Sequence, residues 1–161
     1  MKTSPASRKS GLSGRGLRVL ILQSRFNDRI VSGLASGARE YFAEAGVTKV
    51  DHEFAPGAFE LPVLAQMAGF TGRYDAIVCL GAVIKGETDH YDHIARESAR
   101  GLMDASLATG VPTAFGVLTV TKESHAIARS KPGPHNKGRE AAAAALETAI
   151  VMKKLTSRGR S

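Results

Sequence analysis

The residues best suited to chemistry lie in one stretch, GAVIKGETDHYDHI, which runs from Gly81 to Ile94. An apolar segment passes there into a run that holds three acidic residues and two histidines. His90 and His93 lie three residues apart and could face one metal ion, because helical chelating pairs stand three or four residues apart. The remaining ligands would have to come from distant histidines that no spacing aligns. We therefore expect no metal site at this stretch.

The centre of the same stretch is typical of a phosphate-binding turn. Gly86 permits close approach of the backbone, and Thr88 offers a hydroxyl just before a predicted helix whose first N–H groups attract anions. The neighbouring acidic residues Glu87 and Asp89 argue against a turn that binds phosphate alone. As an alternative, Thr88 or Asp89 could simply cap the helix. His90 would lie in the first helical turn, where an imidazole can take and give protons near neutral pH.

Two other loops and one connector carry residues suited to a planar, polyhydroxylated and phosphorylated ligand. Phe26 and Asn27 follow a predicted strand and could sandwich a heterocycle, although Phe26 fits an ordinary core position almost equally well. The segment PGAFELP (56–62) places small residues before Glu60, which suits a polyol or, alternatively, a favourable charge in a first helical turn. Arg129 and Lys137 flank a connector rich in Pro and Gly, and their cations could reach a phosphate.

These segments need a regular frame, and the apolar patterns predict one. Short apolar or alternating runs predict strands at 17–23, 47–55, 75–84 and 112–120. Helical spacing predicts helices at 30–46, 56–69, 90–109, 123–130 and 137–155. The run at 75–84 is the most apolar and suits a central strand buried on both faces. The order predicts an α/β fold with a parallel sheet, in which ligands bind beyond the carboxyl ends of the strands.

The composition excludes several classes of function. The chain has 161 residues and a formal net charge of +7, but residues 1–18 and 153–161 hold nine of the 22 basic residues and no acid. The body between them is slightly acidic, so we expect no nucleic-acid binding through the fold. Cys79, the only cysteine, lies in an apolar run and is expected to be an inert core thiol. With no signal sequence and no apolar run of membrane-spanning length, we expect a cytoplasmic protein without membrane contact.

Five segments, taken in order, resemble lumazine synthases (6,7-dimethyl-8-ribityllumazine synthases). They are RFND (25–28), PGAFELP (56–62), GAVIKGETDHYDHI (81–94), FGVLT (115–119) and HNKGREAA (135–142). The resemblance implies a flavodoxin-like domain over 17–156, a three-layer α/β/α sandwich around a four-stranded parallel sheet. We expect residues 1–16 to form a disordered basic extension and residues 157–161 a flexible tail.

The resemblance also implies a transferase of riboflavin biosynthesis. The reaction would condense 5-amino-6-(D-ribitylamino)uracil with 3,4-dihydroxy-2-butanone 4-phosphate and release phosphate and water, with no cofactor. An alternative on the same scaffold is a flavin- or lumazine-binding carrier. A carrier would not need His90 and Arg129 together with a phosphate turn, so the sequence favours the enzyme.

Roles for individual residues follow from the resemblance alone. Phe26 would stack on the pyrimidine beside Asn27, Ala58 and Glu60 would hold the ribityl chain, and the backbone at Val83 and Ile84 would contact the pyrimidine edge. Glu87 and Thr88 would bind the phosphate, and His90 would transfer protons. Gly57, Phe59 and Gly86 lie in the same substrate-binding loops.

The family also implies an assembly. Phe115, Arg129 and Lys137 match groups that a neighbouring subunit supplies, so the active site would lie between subunits of a homopentamer. Shell-forming members carry a connector rich in Gly, Ala and Lys, whereas residues 130–135 here read SKPGPH. The two prolines restrict the backbone and favour a free pentamer or a pair of pentamers over a shell.

Overall fold

The computed structural model describes residues 11–157, in which four strands alternate with five α-helices. The strands are β1 (Arg18–Ser24), β2 (Lys49–Ala55), β3 (Ala76–Ile84) and β4 (Thr113–Val120). The helices are α1 (Asp28–Glu44), α2 (Leu61–Phe70), α3 (His90–Thr109), α4 (Glu123–Ser130) and α5 (Lys137–Ser157). A short 3-10 turn, Ala58–Glu60, precedes α2. Every predicted strand and helix is present, with ends displaced by a few residues.

All four strands pair in parallel, in the order β2-β1-β3-β4. In this order β2 lies at the edge beside β1, and β3 lies on the other side of β1. The flavodoxin-like folds have the same strand order. The predicted flavodoxin-like α/β sandwich is therefore confirmed. The predicted central strand is also correct, because β3 pairs with both β1 and β4 and its first five residues, Ala76–Leu80, are fully buried.

The sheet separates two apolar cores. On one face Val19, Ile21 and Val78 pack under α1, α4 and α5, and on the other Leu20, Ile77 and Cys79 pack under α2 and α3. Alternating residues of β1 and β3 thus face opposite layers, as expected for strands covered on both sides. The edge strand β2 is less buried, which explains its weaker apolar pattern.

The packed part of the chain begins before the boundary expected at Leu17. Gly14 is buried, and its backbone N–H donates a 2.7 Å hydrogen bond to the carbonyl of Ala45 at the end of α1. Most of the predicted extension, residues 1–10, and the tail residues 158–161 lie outside the described residues. Within residues 11–157, no helix is long and apolar enough to cross a membrane.

Candidate active site

The carboxyl ends of the strands place three predicted loops at one edge of the sheet. β1 and β2 end level, since Ser24 pairs with Ala55, whereas β3 continues about 10 Å further because Gln23 pairs with Leu80 and β3 ends at Ile84. The 3-10 turn after β2 contacts both β3 and α3. The last residues of β3, which include half-buried Val83 and Ile84, therefore extend beside the loops that follow β1 and β2.

The loop after β1 presents Phe26 to solvent. Phe26 is 74% exposed, so the alternative that placed it in the core is wrong. Asn27 adopts a left-handed backbone conformation (φ 56°) and donates from Nδ2 to the carbonyl of Ala82 at 2.8 Å. The backbone N–H of Arg25 donates to the Ala55 carbonyl at 2.9 Å. Hydrogen bonds from this loop to β2 and β3 thus keep the Phe26 ring exposed at the edge of the sheet.

The turn after β2 is compact. Ala58 is buried, Phe59 is exposed, and the backbone N–H of Glu60 donates to the Gly57 carbonyl at 3.3 Å. The Glu60 carboxylate lies over Gly57, where a Cβ atom would stand 3.2 Å from Oε2. A carboxylate therefore lies beside an apolar surface at the site edge, as a polyol-binding position requires.

The segment between β3 and α3 leaves a helix N-terminus open. Residues 85–89 are exposed, and α3 begins at His90, whose side chain is exposed as well. Among the described residues, the only side-chain cap of α3 is a long one, 3.4 Å from the His90 backbone N–H to Thr88 Oγ1; Asp89 makes no cap bond. Capping is therefore partial, and the positive end of a 20-residue helix remains available to an anion.

The surface charges of α3 pair through Arg100. Arg100 bridges Glu97 and Asp104, whereas neither His93 with Asp89 nor Arg96 with Asp92 forms an ion pair within residues 11–157. Across the same residues, no three His, Cys, Asp or Glu side chains converge as metal ligands. Burial raises the pKa of the Cys79 thiol far above its usual range, which confirms the prediction of an inert core thiol.

Three further predicted residues belong to β4, α4 and α5 rather than to these loops. Phe115 is 44% exposed in the middle of edge strand β4, opposite Cys79 and five residues before the strand ends, which is about 16 Å along the strand. Arg129 donates to the His125 carbonyl at 3.0 Å, and Lys137 pairs with Glu140 at 2.7 Å. In the described part of the chain, none of the three forms a hydrogen bond or ion pair with the loops after β1, β2 and β3.

A family model described as 6,7-dimethyl-8-ribityllumazine synthase matches residues 16–153. The chain belongs to this family. It is 45% identical over 147 residues to the 6,7-dimethyl-8-ribityllumazine synthase of Thermococcus gammatolerans, covering 91% of this chain and 95% of that protein. The enzymes of the same name from Deinococcus radiodurans and Nitratidesulfovibrio vulgaris (strain Miyazaki F) are 44% and 47% identical, covering 89% and 88% of this chain and 94% and 92% of those proteins. The predicted family, and with it a transferase of riboflavin biosynthesis, is confirmed.

The sequence alone did not show what the segment NKG (136–138), at the start of α5, does in the fold. Asn136 is 2% exposed, and its Oδ1 accepts from the backbone N–H groups of Gly138 and Arg139 at 2.9 and 3.1 Å, which caps α5. Its Nδ2 lies 3.0 Å from three carbonyls, those of Gly33, Ser130 and Lys131, so its two protons are shared among three acceptors. One buried amide therefore joins α1, the end of α4 and the start of α5.

The glycine of the same segment is a packing requirement. A Cβ atom on Gly138 would stand 1.9 Å from the backbone oxygen of Leu34, so no larger residue fits against α1. Together, Asn136 and Gly138 fix the connector that carries Arg129 at one end and Lys137 at the other. The spacing of Asn and Gly at a helix start was the available signal for this arrangement.

Proposed function

We propose that this chain condenses 5-amino-6-(D-ribitylamino)uracil with 3,4-dihydroxy-2-butanone 4-phosphate to form 6,7-dimethyl-8-ribityllumazine. The observation that carries the proposal is the convergence of an exposed aromatic ring, a polyol-binding carboxylate and an open helix N-terminus at one edge of the sheet. Those three features match the three chemical parts of the substrates: a flat pyrimidine, a ribityl chain and a phosphate.

Each part of the edge then has a role. Phe26 stacks on the pyrimidine, whose polar edge meets the backbone of Val83 and Ile84, while Ala58 and Glu60 face the ribityl chain. Asn27 Nδ2 donates one of its two protons to the carbonyl of Ala82, so the amide fixes the loop, while its Oδ1 and its second Nδ2 proton are left for the ligand. The other loop positions are Gly57, Phe59 and Gly86.

The phosphate lies at the start of α3. The backbone N–H groups around Glu87 and the hydroxyl of Thr88 donate to it, and the helix dipole stabilises the charge that grows as phosphate leaves. Arg129 adds a cation to the same group.

His90 moves the protons of the reaction. The amine of the pyrimidine attacks the ketone, and water is lost to give an imine. Elimination then expels phosphate and leaves an enol, which tautomerises to a new ketone. The ribitylamino nitrogen attacks this ketone, and loss of a second water completes the second ring. Each step transfers a proton to or from nitrogen, carbon or oxygen, which one exposed imidazole at the turn can mediate. Holding both substrates in reacting geometry supplies much of the remaining acceleration.

The site is shared between subunits of a homopentamer. Phe115, Arg129 and Lys137 serve the neighbouring site, which agrees with the distance of Phe115 from its own carboxyl edge. A face of exposed apolar side chains supports the assembly, since a patch of this kind marks an interaction surface. Its members on α2 and α3 are Val63, Met67, Phe70, Met103 and Leu107.

The first test is formation of the lumazine chromophore from both substrates by the purified protein. The result expected is a rate well above the uncatalysed one. No acceleration would overturn the proposal, and binding of lumazine without acceleration would assign the carrier function instead. Sedimentation of the same sample determines whether the chain is a pentamer.

The second test is complementation between two variants. His90→Ala and Arg129→Ala proteins are each assayed at a low concentration of the phosphate substrate, then unfolded together, refolded as a mixture and assayed again. If sites lie between subunits, about one quarter of the interfaces in a random 1:1 assembly combine an intact His90 with an intact Arg129. Activity should then rise to about one quarter of wild type. A mixture no more active than the mean of its components would place both residues in one subunit's site.

A further inference from the structure

A continuous chain of side-chain hydrogen bonds crosses the α1 face of the sheet. It contains five residues from three elements: Arg39, His52, Gln23, Ser32 and Asp28. The successive contacts are Arg39 Nη2 to His52 Nδ1 (2.6 Å), His52 Nε2 to Gln23 Oε1 (2.9 Å), Gln23 Nε2 to Ser32 Oγ (3.1 Å) and Ser32 Oγ to Asp28 Oδ1 (3.3 Å).

The direction of every bond in this chain is fixed by chemistry. A guanidinium only donates, so His52 Nδ1 must accept, and the ring must carry its proton on Nε2 and donate to Gln23 Oε1. The Gln23 amide then donates to Ser32, whose hydroxyl donates to the carboxylate of Asp28. Gln23 is 3% exposed, so the middle of the chain is protected from water. The arrangement is complete only while His52 is neutral.

Residues at both ends of the loop that carries Phe26 are connected to this series of hydrogen bonds. Asp28 begins α1 directly after Asn27. On the other side, the His52 ring stacks on Phe54 with centroids 4.8 Å apart, and the Arg25 guanidinium lies 5.5 Å from the centroid of the same Phe54 ring. The residues on either side of the Phe26–Asn27 pair are therefore both linked to His52.

We propose that neutral His52 is a positioning residue that holds the Phe26 loop in its substrate-stacking conformation and so sets the affinity for the pyrimidine substrate. The proposal rests on the proposed function, in which Phe26 receives the pyrimidine. Protonation at Nδ1 would turn an acceptor into a donor facing the Arg39 guanidinium, and the first bond of the chain would be lost.

The charges around His52 favour its neutral form. Burial and then the positive charge of Arg39 hold the pKa of His52 below its usual range, and Glu53 on the same strand opposes them. The adjacent strand β1 presents only the neutral Gln23, and Arg25 reaches the Phe54 ring rather than the imidazole. As the pH falls below this pKa, the loop should loosen and the KM for the pyrimidine should rise.

Two substitutions at His52 separate positioning from titration. In His52→Gln, the new amide can accept from Arg39 and donate to Gln23, but it does not titrate. In His52→Leu, both bonds are lost. We expect His52→Leu to raise the KM for 5-amino-6-(D-ribitylamino)uracil about three- to tenfold with kcat within about twofold, the size of one or two lost hydrogen bonds. His52→Gln should keep the wild-type KM at neutral pH, and its KM should not rise below about pH 6, unlike that of wild type.

Controls make the result specific. Lys49→Gln changes an exposed residue at the other end of β2 and should alter neither constant. Ser32→Ala breaks the chain at a half-buried position with little packing change, so it tests the same idea if His52→Leu fails to fold, with an expected rise of about two- to fivefold in the KM. The dissociation constant of the pyrimidine, measured by equilibrium dialysis, gives a readout independent of catalysis.

The outcomes are distinct. Suppose that the wild type is inactive but binds the pyrimidine, and that His52→Leu binds it more weakly than His52→Gln does. The proposed reaction would then be rejected, and the positioning role of His52 would be retained. Equal KM values in His52→Leu and wild type, equal rises in both His52 variants, or a lower yield of folded protein with unchanged KM would each overturn the inference.

Discussion

The clearest structural prediction concerns the buried amide of Asn136. Replacing it by alanine removes its contacts with two backbone N–H groups and three carbonyls at once. The two accepted bonds form a helix cap, whose loss costs about 1 kcal/mol. The two amide protons serve carbonyls of α1, α4 and the connector, at about 0.5–1.5 kcal/mol for each proton. We expect a loss of about 2–4 kcal/mol, a large share of the roughly 5–15 kcal/mol that stabilises a typical domain.

Urea unfolding followed by circular dichroism measures this loss. The protein concentration must be equal for all samples, because the proposed assembly would make the apparent stability depend on it. With a denaturant dependence of about 2 kcal/mol per molar urea, the midpoint should fall by about 1–2 M. Asn136→Asp should be less stable still at neutral pH, since it keeps the acceptor but turns a carboxylate towards three carbonyls.

Thr148→Ala is the matched control. Its hydroxyl bonds to the Ala144 carbonyl on the exposed side of the same helix, so the change should stay within about 0.5 kcal/mol. A loss under about 1 kcal/mol for Asn136→Ala, or greater stability of Asn136→Asp than of Asn136→Ala, would refute the bond assignment.

Four further predictions follow from the site and the core. His90→Ala should lower kcat about 10- to 100-fold without abolishing turnover, because substrate orientation is retained; an unchanged kcat in steady-state assays would remove His90 from proton transfer. Arg129→Ala should chiefly raise the KM for the phosphate substrate, and a wild-type KM would contradict its contact with phosphate. Gly138→Ala should give little folded protein on expression, since its Cβ would overlap the Leu34 backbone; a soluble variant with a wild-type urea midpoint would argue against this packing. Cys79 should react with a thiol reagent only after unfolding, because burial shields the thiol from the reagent and raises its pKa; a time course with and without urea tests this.

The sequence was informative where local pattern decides the structure. The apolar run at 75–84 became β3 because a strand buried on both faces needs an unbroken apolar surface. The helical spacing after residue 30 stopped at Gly46 as predicted, and Gly46 adopts the left-handed conformation typical of helix ends. The helix itself starts two residues earlier, at Asp28, because Asn27 can adopt the left-handed conformation that ends the loop.

The sequence was uninformative where distant segments meet. Asn136 is a polar residue in a polar connector, and nothing local shows that it is 2% exposed and bonded to a residue 103 positions away. His52 stands between two acidic residues on β2 with no local sign of a role, and its bond to Gln23 depends on the register between β1 and β2. The exposure of Phe26 could not be predicted either, because an aromatic residue after a buried strand packs inward in many proteins.

Helix α1 links the two halves of the proposed chemistry. Its first residue closes the Phe26 loop, its middle holds His52 through Arg39, and its inner face accepts the buried amide of Asn136 so closely that a Cβ on Gly37 would stand 2.1 Å from Oδ1. One helix therefore orients the ring proposed to stack on the pyrimidine and the connector proposed to offer its cations to a neighbouring subunit. Because the two contacts lie on different sides of α1, their effects should be separable. Variants of His52 should change the KM for the pyrimidine alone, whereas variants of Asn136 should act on the phosphate substrate and on stability.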